Sequence, residues 1–283
     1  MSVTFYPNMI QHVGFAAADE PSVTTQNYAC SGGETTGAAY DCVDNRRTNQ
    51  LTVDTNGEGT DFHIELDLTS SLTADFCIID NHNLNTATGL FSIQQGGADV
   101  IPTSSYSGTL GGALAADGID AFEITPVADG IVLAKFTSSA DAGWDLLFLD
   151  VAGTNFGADC LFGELCLGTS FAPAFSPELQ PTFDYDMPGS SFNESDSGQR
   201  YGFSTHTNKR RAWKMTWKYM SDANKASLET IFLYTRGVKN PFYIDLGESA
   251  TPHLYYVRFM RGLSFKGLTK DAWQVDMFIE EEL

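Results

Sequence analysis

The acidic stretch DTNGEGTD is the first place where residue types and spacing could do chemistry. Its oxygen-bearing side chains, Asp54, Asn56, Glu58 and Asp61, are interleaved with glycines, and hard cations such as Ca²⁺ prefer oxygen ligands. The stretch lacks the twelve-residue spacing and the closing bidentate glutamate of an EF-hand loop. An acidic hairpin turn explains the same residues. We therefore assign no metal and no cofactor, and keep these four residues as calcium candidates only.

The histidines are the next residues that could bind a metal or act as a base. His82 lies in DNHNL, flanked by Asp80, Asn81 and Asn83, but no second histidine stands near it to complete a metal site. A histidine that ends a strand and hydrogen-bonds its own turn explains this pattern more simply. The remaining histidines have no partner at metal-ligand spacing: His12, His63, His206 and His253. No catalytic residue is assigned.

Catalytic and nucleotide-binding motifs are missing from the sequence. It contains no G-x-S-x-G, no H-E-x-x-H and no P-loop, and no G-x-G-x-x-G in a strand–turn–helix context. The sequence therefore predicts a protein that is not an enzyme. Carboxylate pairs of the kind used by glycosidases are too common in so acidic a chain to be excluded by counting, so a glycan hydrolase remains the weakest hypothesis.

The negative charge of the chain is confined to its first part. Residues 1–181 contain 3 Lys+Arg and 23 Asp+Glu, whereas residues 182–283 contain 13 of each. Such an acidic region repels nucleic acid, so we expect no specific nucleic-acid binding. The change in composition near Pro177–Pro181 predicts a boundary between two domains, residues 1–178 and residues 179–283.

The only basic run is Lys209, Arg210 and Arg211. One interpretation is a site for phosphate or nucleic acid. The other, which we favour, is a solvated strand face that pairs with an acidic neighbouring subunit, because the adjacent Trp213 and Trp217 are needed in the core.

The sequence contains five cysteines, an odd number, and no C-x-x-C pair. It shows neither a signal peptide nor a membrane span, so free thiols are predicted. Cys77, Cys160 and Cys166 lie in or beside apolar strands and are predicted core residues. Cys30 and Cys42 lie in a glycine-rich stretch and could meet, and the sequence leaves their redox state open.

A strand followed by a helix forms the predicted kernel of the C-terminal domain. AWKMTWKYM alternates strictly, which predicts a strand with one buried face and one wet face. Ser221 is the expected N-cap of the helix, and Gly237 is the expected left-handed C-cap. The residues of the buried strand face are Trp213, Met215, Trp217 and Tyr219, and those of the helix stripe are Leu228, Ile231, Phe232 and Thr235.

Further strands complete both domains. Around the kernel, YYVRF and AWQVDMFI alternate as antiparallel strands, joined by a predicted turn over Lys266 to Asp271. The first domain shows many short strands and no convincing helix, which predicts a β-sandwich or jelly roll. The fold class is therefore mainly β, with a smaller α+β domain at the C-terminus. The predicted strands of the first domain are Phe62–Leu68, Phe76–Ile79, Leu90–Ile93, Phe122–Ile124, Ile131–Phe136, Trp144–Val151 and Leu161–Leu167.

Two segments of the chain resemble known families. RRAWKMTWKYMS, KNPFYIDL, YYVRFMRGLSF and AWQVDMFIEEEL together resemble the tube-like domain of bacteriophage tail-tip proteins, of the distal-tail and baseplate-hub type. The resemblance implies a structural component of the virion, assembled in the host cytoplasm. It also implies self-association into a ring, a hexamer, that contacts the neighbouring tail-tube and tail-tip proteins.

The first domain has a resemblance of its own. FHIELDL, FCIIDNHNLNTATGLFSIQQGG and FGELCLG resemble the discoidin-like, galactose-binding-type jelly roll. That family implies loops that bind sugars, and in some members a calcium ion, so the alternative function is a carbohydrate-binding protein for attachment to a host surface glycan. No ligand-binding residue of the family is carried over. Tyr40 and Tyr106 are the main aromatic candidates of the loops, and their small, polar neighbours favour a scaffold role.

Overall fold

The computed structural model of the chain describes residues 3–10, 22–25, 34–36, 39–53, 62–95, 98–99, 102–114, 121–136, 142–152, 158–180, 190–194, 200–204 and 211–282. Contacts within the chain divide it into two units. The sandwich unit is Tyr6–Ser170, and the C-terminal unit is Phe171–Leu283 together with Met1–Phe5. The boundary inferred from composition, between 178 and 179, stays a prediction.

The structure confirms the predicted fold class, a mainly β chain with antiparallel sheets, a β-sandwich and a smaller α+β region. The first strand, β1 (Thr4–Tyr6), belongs to the sheet of the C-terminal unit. No local pattern indicated that pairing, because it joins the two ends of the chain. No helix in the described part of the chain is long and apolar enough to span a membrane.

The sandwich unit is built from sheets of seven, four and three strands. The strands are β2 (Ser22–Thr25), β3 (Glu34–Thr36), β4 (Leu51–Val53), β5 (Phe62–Thr73), β6 (Phe76–His82), β7 (Leu90–Gln95), β8 (Ala98–Asp99), β9 (Pro102–Tyr106), β10 (Gly108–Leu114), β11 (Ala121–Pro126), β12 (Gly130–Phe136), β13 (Ala142–Ala152), β14 (Cys160–Phe162) and β15 (Glu164–Gly168). The seven-stranded sheet has the order β10-β11-β7-β13-β5-β2, and β8 pairs with β7. The four-stranded sheet has the order β15-β6-β12-β9, and the small sheet has the order β14-β4-β3.

Two details of this unit differ from the prediction. The single strand expected over Leu161–Leu167 is two strands, β14 and β15, which separate at Gly163. A Cβ atom at Gly163 would lie 2.6 Å from Cβ of Asn81, so only glycine fits this close approach. The described part of the unit also contains short helical turns where none was expected, among them α1 (Leu84–Ala87) and a 3-10 turn at Ala39–Val43.

In its described residues, the C-terminal unit consists of one seven-stranded sheet, one helix and a separate hairpin. Its elements are β16 (Glu178–Gln180), β17 (Ser190–Glu194), β18 (Arg200–Ser204), β19 (Ala212–Met220), α2 (Asp222–Tyr234), β20 (Phe242–Asp245), β21 (Leu254–Phe259), β22 (Ser264–Thr269) and β23 (Ala272–Glu281). The order of the sheet is β1-β20-β21-β23-β19-β16, and β22 also pairs with β23. The hairpin is formed by β17 and β18.

The helix α2 follows the sequence prediction closely. The Ser221 hydroxyl accepts a hydrogen bond from the Asn224 N–H at 3.3 Å, as an N-cap does. Leu228 and Ile231 are buried on the sheet side. The left-handed turn that ends the helix starts one residue earlier than predicted, because Arg236 (φ 51°) precedes Gly237 (φ 72°) in that conformation.

The predicted alternation of β19 fails at its end. Trp213, Met215 and Trp217 are buried as expected, but Tyr219 is 70% exposed and Met220 is buried instead. The register between β19 and β23 shifts between Trp217 and Met220. This bulge adds one residue, so the side chains that follow it change faces.

The stretch Lys266–Asp271, predicted as a turn, is mostly strand. β22 pairs with β23 up to Thr269 opposite Ala272, and only Lys270 and Asp271 remain in the turn. Asp271 adopts a positive φ of 64°, a conformation that aspartate tolerates better than most residues. The glycine that suggested the turn, Gly267, packs within β22 against the Trp273 ring.

Candidate functional site

Several residues singled out from the sequence lie outside the described part of the structure. They include all four calcium candidates, Asp54, Asn56, Glu58 and Asp61. Among the residues that the structure describes, no group of three acidic, histidine or cysteine side chains could hold a metal ion. The calcium hypothesis therefore stays a prediction.

His82 has a structural role at the end of β6. Its ring is buried, and Nδ1 accepts a hydrogen bond from the Leu84 N–H at 3.2 Å. Burial lowers the pKa of His82 to about 4, so the ring is neutral at pH 7. This is the turn-bonding histidine that the sequence predicted.

A polar network beside His82 ties the loop after the 3-10 turn to β6. Arg47 holds the buried Asp80 carboxylate with two nitrogens, Nε at 2.6 Å and Nη2 at 3.1 Å. The Asn81 amide donates to the Arg47 carbonyl at 2.7 Å. Because these groups satisfy one another inside the unit, the network stabilises the fold rather than presenting a binding surface.

Glu164 is a fully buried carboxyl group in the same region. It faces Asp80 directly across the β15–β6 pair, and the Asn8 amide donates to its Oε1 atom at 3.0 Å. Burial, and then the carboxylates of Asp44 and Asp80, raise the pKa of Glu164 well above its usual range, although two nearby backbone N–H groups oppose the rise. No feature of the sequence distinguished this glutamate from the many exposed ones.

The described cysteines are buried thiols that form no disulfide with one another: Cys42, Cys77, Cys160 and Cys166. Burial raises the pKa of the Cys77 thiol to about 12 and moves those of Cys42 and Cys166 in the same direction, so these thiols are unreactive at neutral pH. Cys30 lies outside the described residues. The core role predicted for Cys77, Cys160 and Cys166 is confirmed.

The basic run is only partly described. Lys209 and Arg210 lie outside the described residues, and Arg211 Nε stands 3.6 Å from Glu281 Oε2 of the same sheet. The cation of Arg211 therefore has a partner within its own chain. Pairing of this run with an acidic neighbouring subunit stays a prediction.

A groove lies at one edge of the C-terminal sheet, where β16 meets β19. β16 pairs with β19 only from Glu178 onward, because the preceding residue, Pro177, has no N–H to donate to the ladder. The chain before it stays beside β19 through a hydrogen bond from Trp217 Nε1 to the Phe175 carbonyl at 3.1 Å. The groove has a volume of about 430 Å³ and is lined by Phe175, Ser176, Glu178, Thr216, Trp217, Lys218 and Tyr219.

Two exposed aromatic rings belong to this groove. Phe175 is 65% exposed and Tyr219 is 70% exposed, whereas Trp217 between them is buried. The bulge in β19 is what places Tyr219 outside the core. Single exposed apolar side chains are normal on a folded surface, but two exposed rings that line one groove form an apolar patch available for contact with another molecule.

An ion pair supplies the charge of the groove. Lys218 Nζ lies 2.5 Å from Glu178 Oε1, and both side chains are more than half exposed. The hydrogen bond with Glu178 and its negative charge raise the pKa of Lys218, so the lysine is charged at neutral pH. The Thr216 hydroxyl is already bound to Asp276 Oδ1 at 2.7 Å.

The groove combines apolar rings with a cationic hydrogen-bond donor, Lys218, and an anionic acceptor, Glu178. Among the described residues of its lining there is no histidine and no cysteine, and the one carboxylate among them, Glu178, is held by Lys218. These residues can bind and orient a ligand, but they do not provide the acid–base pair that hydrolysis needs.

The sequence contained a partial signal for this site. Lys218 was predicted on the wet face of β19, and Phe175 stands between two prolines in PAFSPE, a context that keeps an aromatic residue out of regular structure. Of the aromatic residues proposed earlier, Tyr106 is half-buried, and the side chain of Tyr40 lies outside the described part.

Comparison with known proteins finds distant structural similarity and no family. No protein-family model matches the chain, and no curated protein matches it. Among solved structures, it is similar to the CBM32-1 module of a family 31 glycoside hydrolase from Clostridium perfringens. That similarity has 14% identity and a TM-score of 0.33, over 52% of this chain and 93% of the module. It is also similar to a pectin-binding carbohydrate-binding module, with 18% identity and a TM-score of 0.25, over 52% of this chain and 88% of that one.

A third similar structure has a different kind of partner. Reduced XRCC1 bound to the DNA polymerase beta catalytic domain shares 13% identity and a TM-score of 0.32, over 53% of this chain and 99% of that one. Since one fold can carry unrelated binding functions, these similarities assign no ligand to this chain. These TM-scores are too low to support a family, so the discoidin-like resemblance stays a prediction.

Proposed function

We propose that this protein is a non-catalytic carbohydrate-binding protein that attaches to surface glycans, and that the groove between β16 and β19 is its binding site. The observation that carries the proposal is the pair of exposed rings, Phe175 and Tyr219, beside an exposed ion pair. The volume of about 430 Å³ falls within the range of about 300–1,000 Å³ typical of small-ligand sites.

The chemistry of a sugar matches this combination. A pyranose ring has an apolar face of C–H groups that stacks on an aromatic ring, while its hydroxyl groups need fixed hydrogen-bond partners. Phe175 and Tyr219 offer the ring surfaces. Lys218 donates and Glu178 accepts, so adjacent hydroxyl groups of one sugar can contact both.

In this proposal the sandwich unit acts as a scaffold, in line with the polar, small-residue composition of its loops. Carbohydrate-binding modules are among the similar structures, but that similarity lends no residue to the site. A sugar site on the sandwich itself would place binding on Tyr40 or Tyr106 instead.

A glycan array with the full chain tests the proposal. We expect saturable binding that falls at least about tenfold in Tyr219→Ala and in Phe175→Ala, because each loses a stacking surface. Leu233→Ala is the matched control, since Leu233 is 66% exposed and lies outside the groove. Binding that persists in both groove variants but disappears in Tyr106→Ala would move the site to the sandwich unit.

A second candidate function is the structural one, a bacteriophage tail-tip component that forms a hexameric ring and continues the tail tube. The observation that favours it is the architecture of the C-terminal unit, an antiparallel sheet with one helix, as the resemblance implied. Exposed apolar side chains on this unit, including Leu233, Val238 and Met260, are available for contact with neighbours. A closed ring in electron micrographs of the protein or its particle would support this function, and a single copy per particle would refute it.

A further inference from the structure

The ion pair of the groove leaves both of its members with unused hydrogen-bonding capacity. Lys218 Nζ contacts Glu178 Oε1, and the two side chains remain 61% and 55% exposed. An ammonium group has three donors, and a carboxylate accepts on two oxygens. After pairing with each other, the two groups can still donate to one hydroxyl and accept from the next.

A ligand with a negative charge would interact very differently with this pair. Its carboxylate or sulfate would be attracted to Lys218 but repelled by Glu178 at nearly the same distance. Two like charges a few ångströms apart disfavour each other even in a partly solvated setting.

We infer that the groove is selective for neutral sugars, and that Glu178 is the residue that excludes anionic ones such as uronates. This inference rests on the proposed carbohydrate-binding function and adds the class of ligand. Phe175 and Tyr219 recognise the ring that all pyranoses share. Glu178 discriminates by charge, because the hydroxyl groups of a neutral sugar donate to its carboxylate and a uronate carboxylate does not.

Glu178→Gln is the informative substitution, since it keeps the shape of the side chain and removes only the charge. Its matched control is Glu229→Gln, because Glu229 also forms a lysine ion pair in the same unit, with Lys225 at 2.6 Å, and lies outside the groove. The probes are a neutral β-glucan and a neutral galactan on one side, and alginate and polygalacturonate on the other. Binding of the full chain is measured by affinity electrophoresis at low and at high salt.

We expect the unmodified protein to bind at least one neutral polymer about tenfold more tightly than either uronate polymer at low salt. Glu178→Gln should reduce that ratio about fivefold, mainly by improved uronate binding, as expected for the loss of one nearby like charge. High salt should reduce the ratio in the same direction. Glu229→Gln should leave it unchanged.

The outcomes separate this inference from the function on which it rests. Uronate binding that equals or exceeds neutral binding, and that is lost in Tyr219→Ala, would overturn the selectivity and keep the site. A ratio unaffected by Glu178→Gln would remove Glu178 as its cause. The absence of binding to any polymer, together with an empty glycan array, would refute the proposed function and the inference with it.

Discussion

The buried carboxyl of Glu164 should make the stability of this protein fall as the pH rises. In the unfolded chain a glutamate has a pKa of about 4.3, whereas in the folded protein burial, Asp44 and Asp80 raise the pKa of Glu164 well above that value. Between these two pKa values the folded state binds one proton more than the unfolded state. The stabilisation is therefore complete below about pH 4.3 and is lost as the pH rises towards the folded pKa.

Glu164→Gln is the perturbation that isolates this effect. The amide has the same shape as a protonated carboxyl, and its oxygen still accepts from Asn8, which donates to Oε1 of Glu164 at 3.0 Å. Between the unfolded and the folded pKa of Glu164, each rise of one pH unit lowers the free energy of unfolding of the unmodified protein by about 1.4 kcal/mol relative to the variant. This difference accumulates over the pH range between the unfolded and the folded pKa of Glu164, and each pH unit of it corresponds to about 3–6 °C in Tm for a domain of this size.

Thermal melts of both proteins at half-unit pH steps, from pH 4 to pH 9, provide the measurement. Asp159→Asn is the control, because it makes the same carboxylate-to-amide change at an exposed position of the same unit and should parallel the unmodified protein. If Glu164→Gln and the unmodified protein show parallel Tm curves over this whole range, Glu164 is ionised when folded and the reasoning is refuted. Early loss of the Asn8 contact would appear as faster amide exchange in residues 3–10 at high pH.

Further predictions concern the core and the polar network. Trp217→Ala should lower the free energy of unfolding by about 3–5 kcal/mol, because it removes a buried indole. Lys218→Ala, on the exposed side of β19, should leave the denaturation midpoint unchanged. Equal losses in the two variants would refute the face assignment. Met220→Ala should cost about 2–4 kcal/mol, which checks the bulge. Arg47→Met should cost about 3–5 kcal/mol by chemical denaturation, since it leaves the buried Asp80 carboxylate without its cation, and Asp80→Asn in the same background should restore part of the loss. The described cysteines should react with a thiol reagent only as fast as the protein unfolds.

The parts of the fold that local patterns determine could be predicted from the sequence. The cap at Ser221, the buried stripe of α2 and the alternation of Trp213 to Trp217 all depend on residues a few positions apart, and all are confirmed. The strands of the sandwich unit were found for the same reason, because alternation and turn residues lie within each segment.

Features that depend on distant neighbours were missed. β1 joins a sheet whose other strands come from the far end of the chain, and no local pattern encodes such a pairing. Gly163 separates β14 from β15 because Asn81 occupies the space of a side chain. Glu164 is buried for the same kind of reason, since its burial is set by β6 and Asn8 rather than by its sequence neighbours.

The candidate binding site combines both kinds of feature, which explains why only half of it was predictable. Lys218 followed from the alternation of β19, but Tyr219 reaches the surface only because β19 bulges against β23, and Phe175 stays outside the ladder only because Pro177 cannot extend β16. The bulge accompanies an exposed Tyr219 ring, and the end of the ladder at Glu178 accompanies an exposed Phe175 ring. The coincidence of two irregularities at one groove is the structural basis on which we propose that this edge of the sheet serves binding.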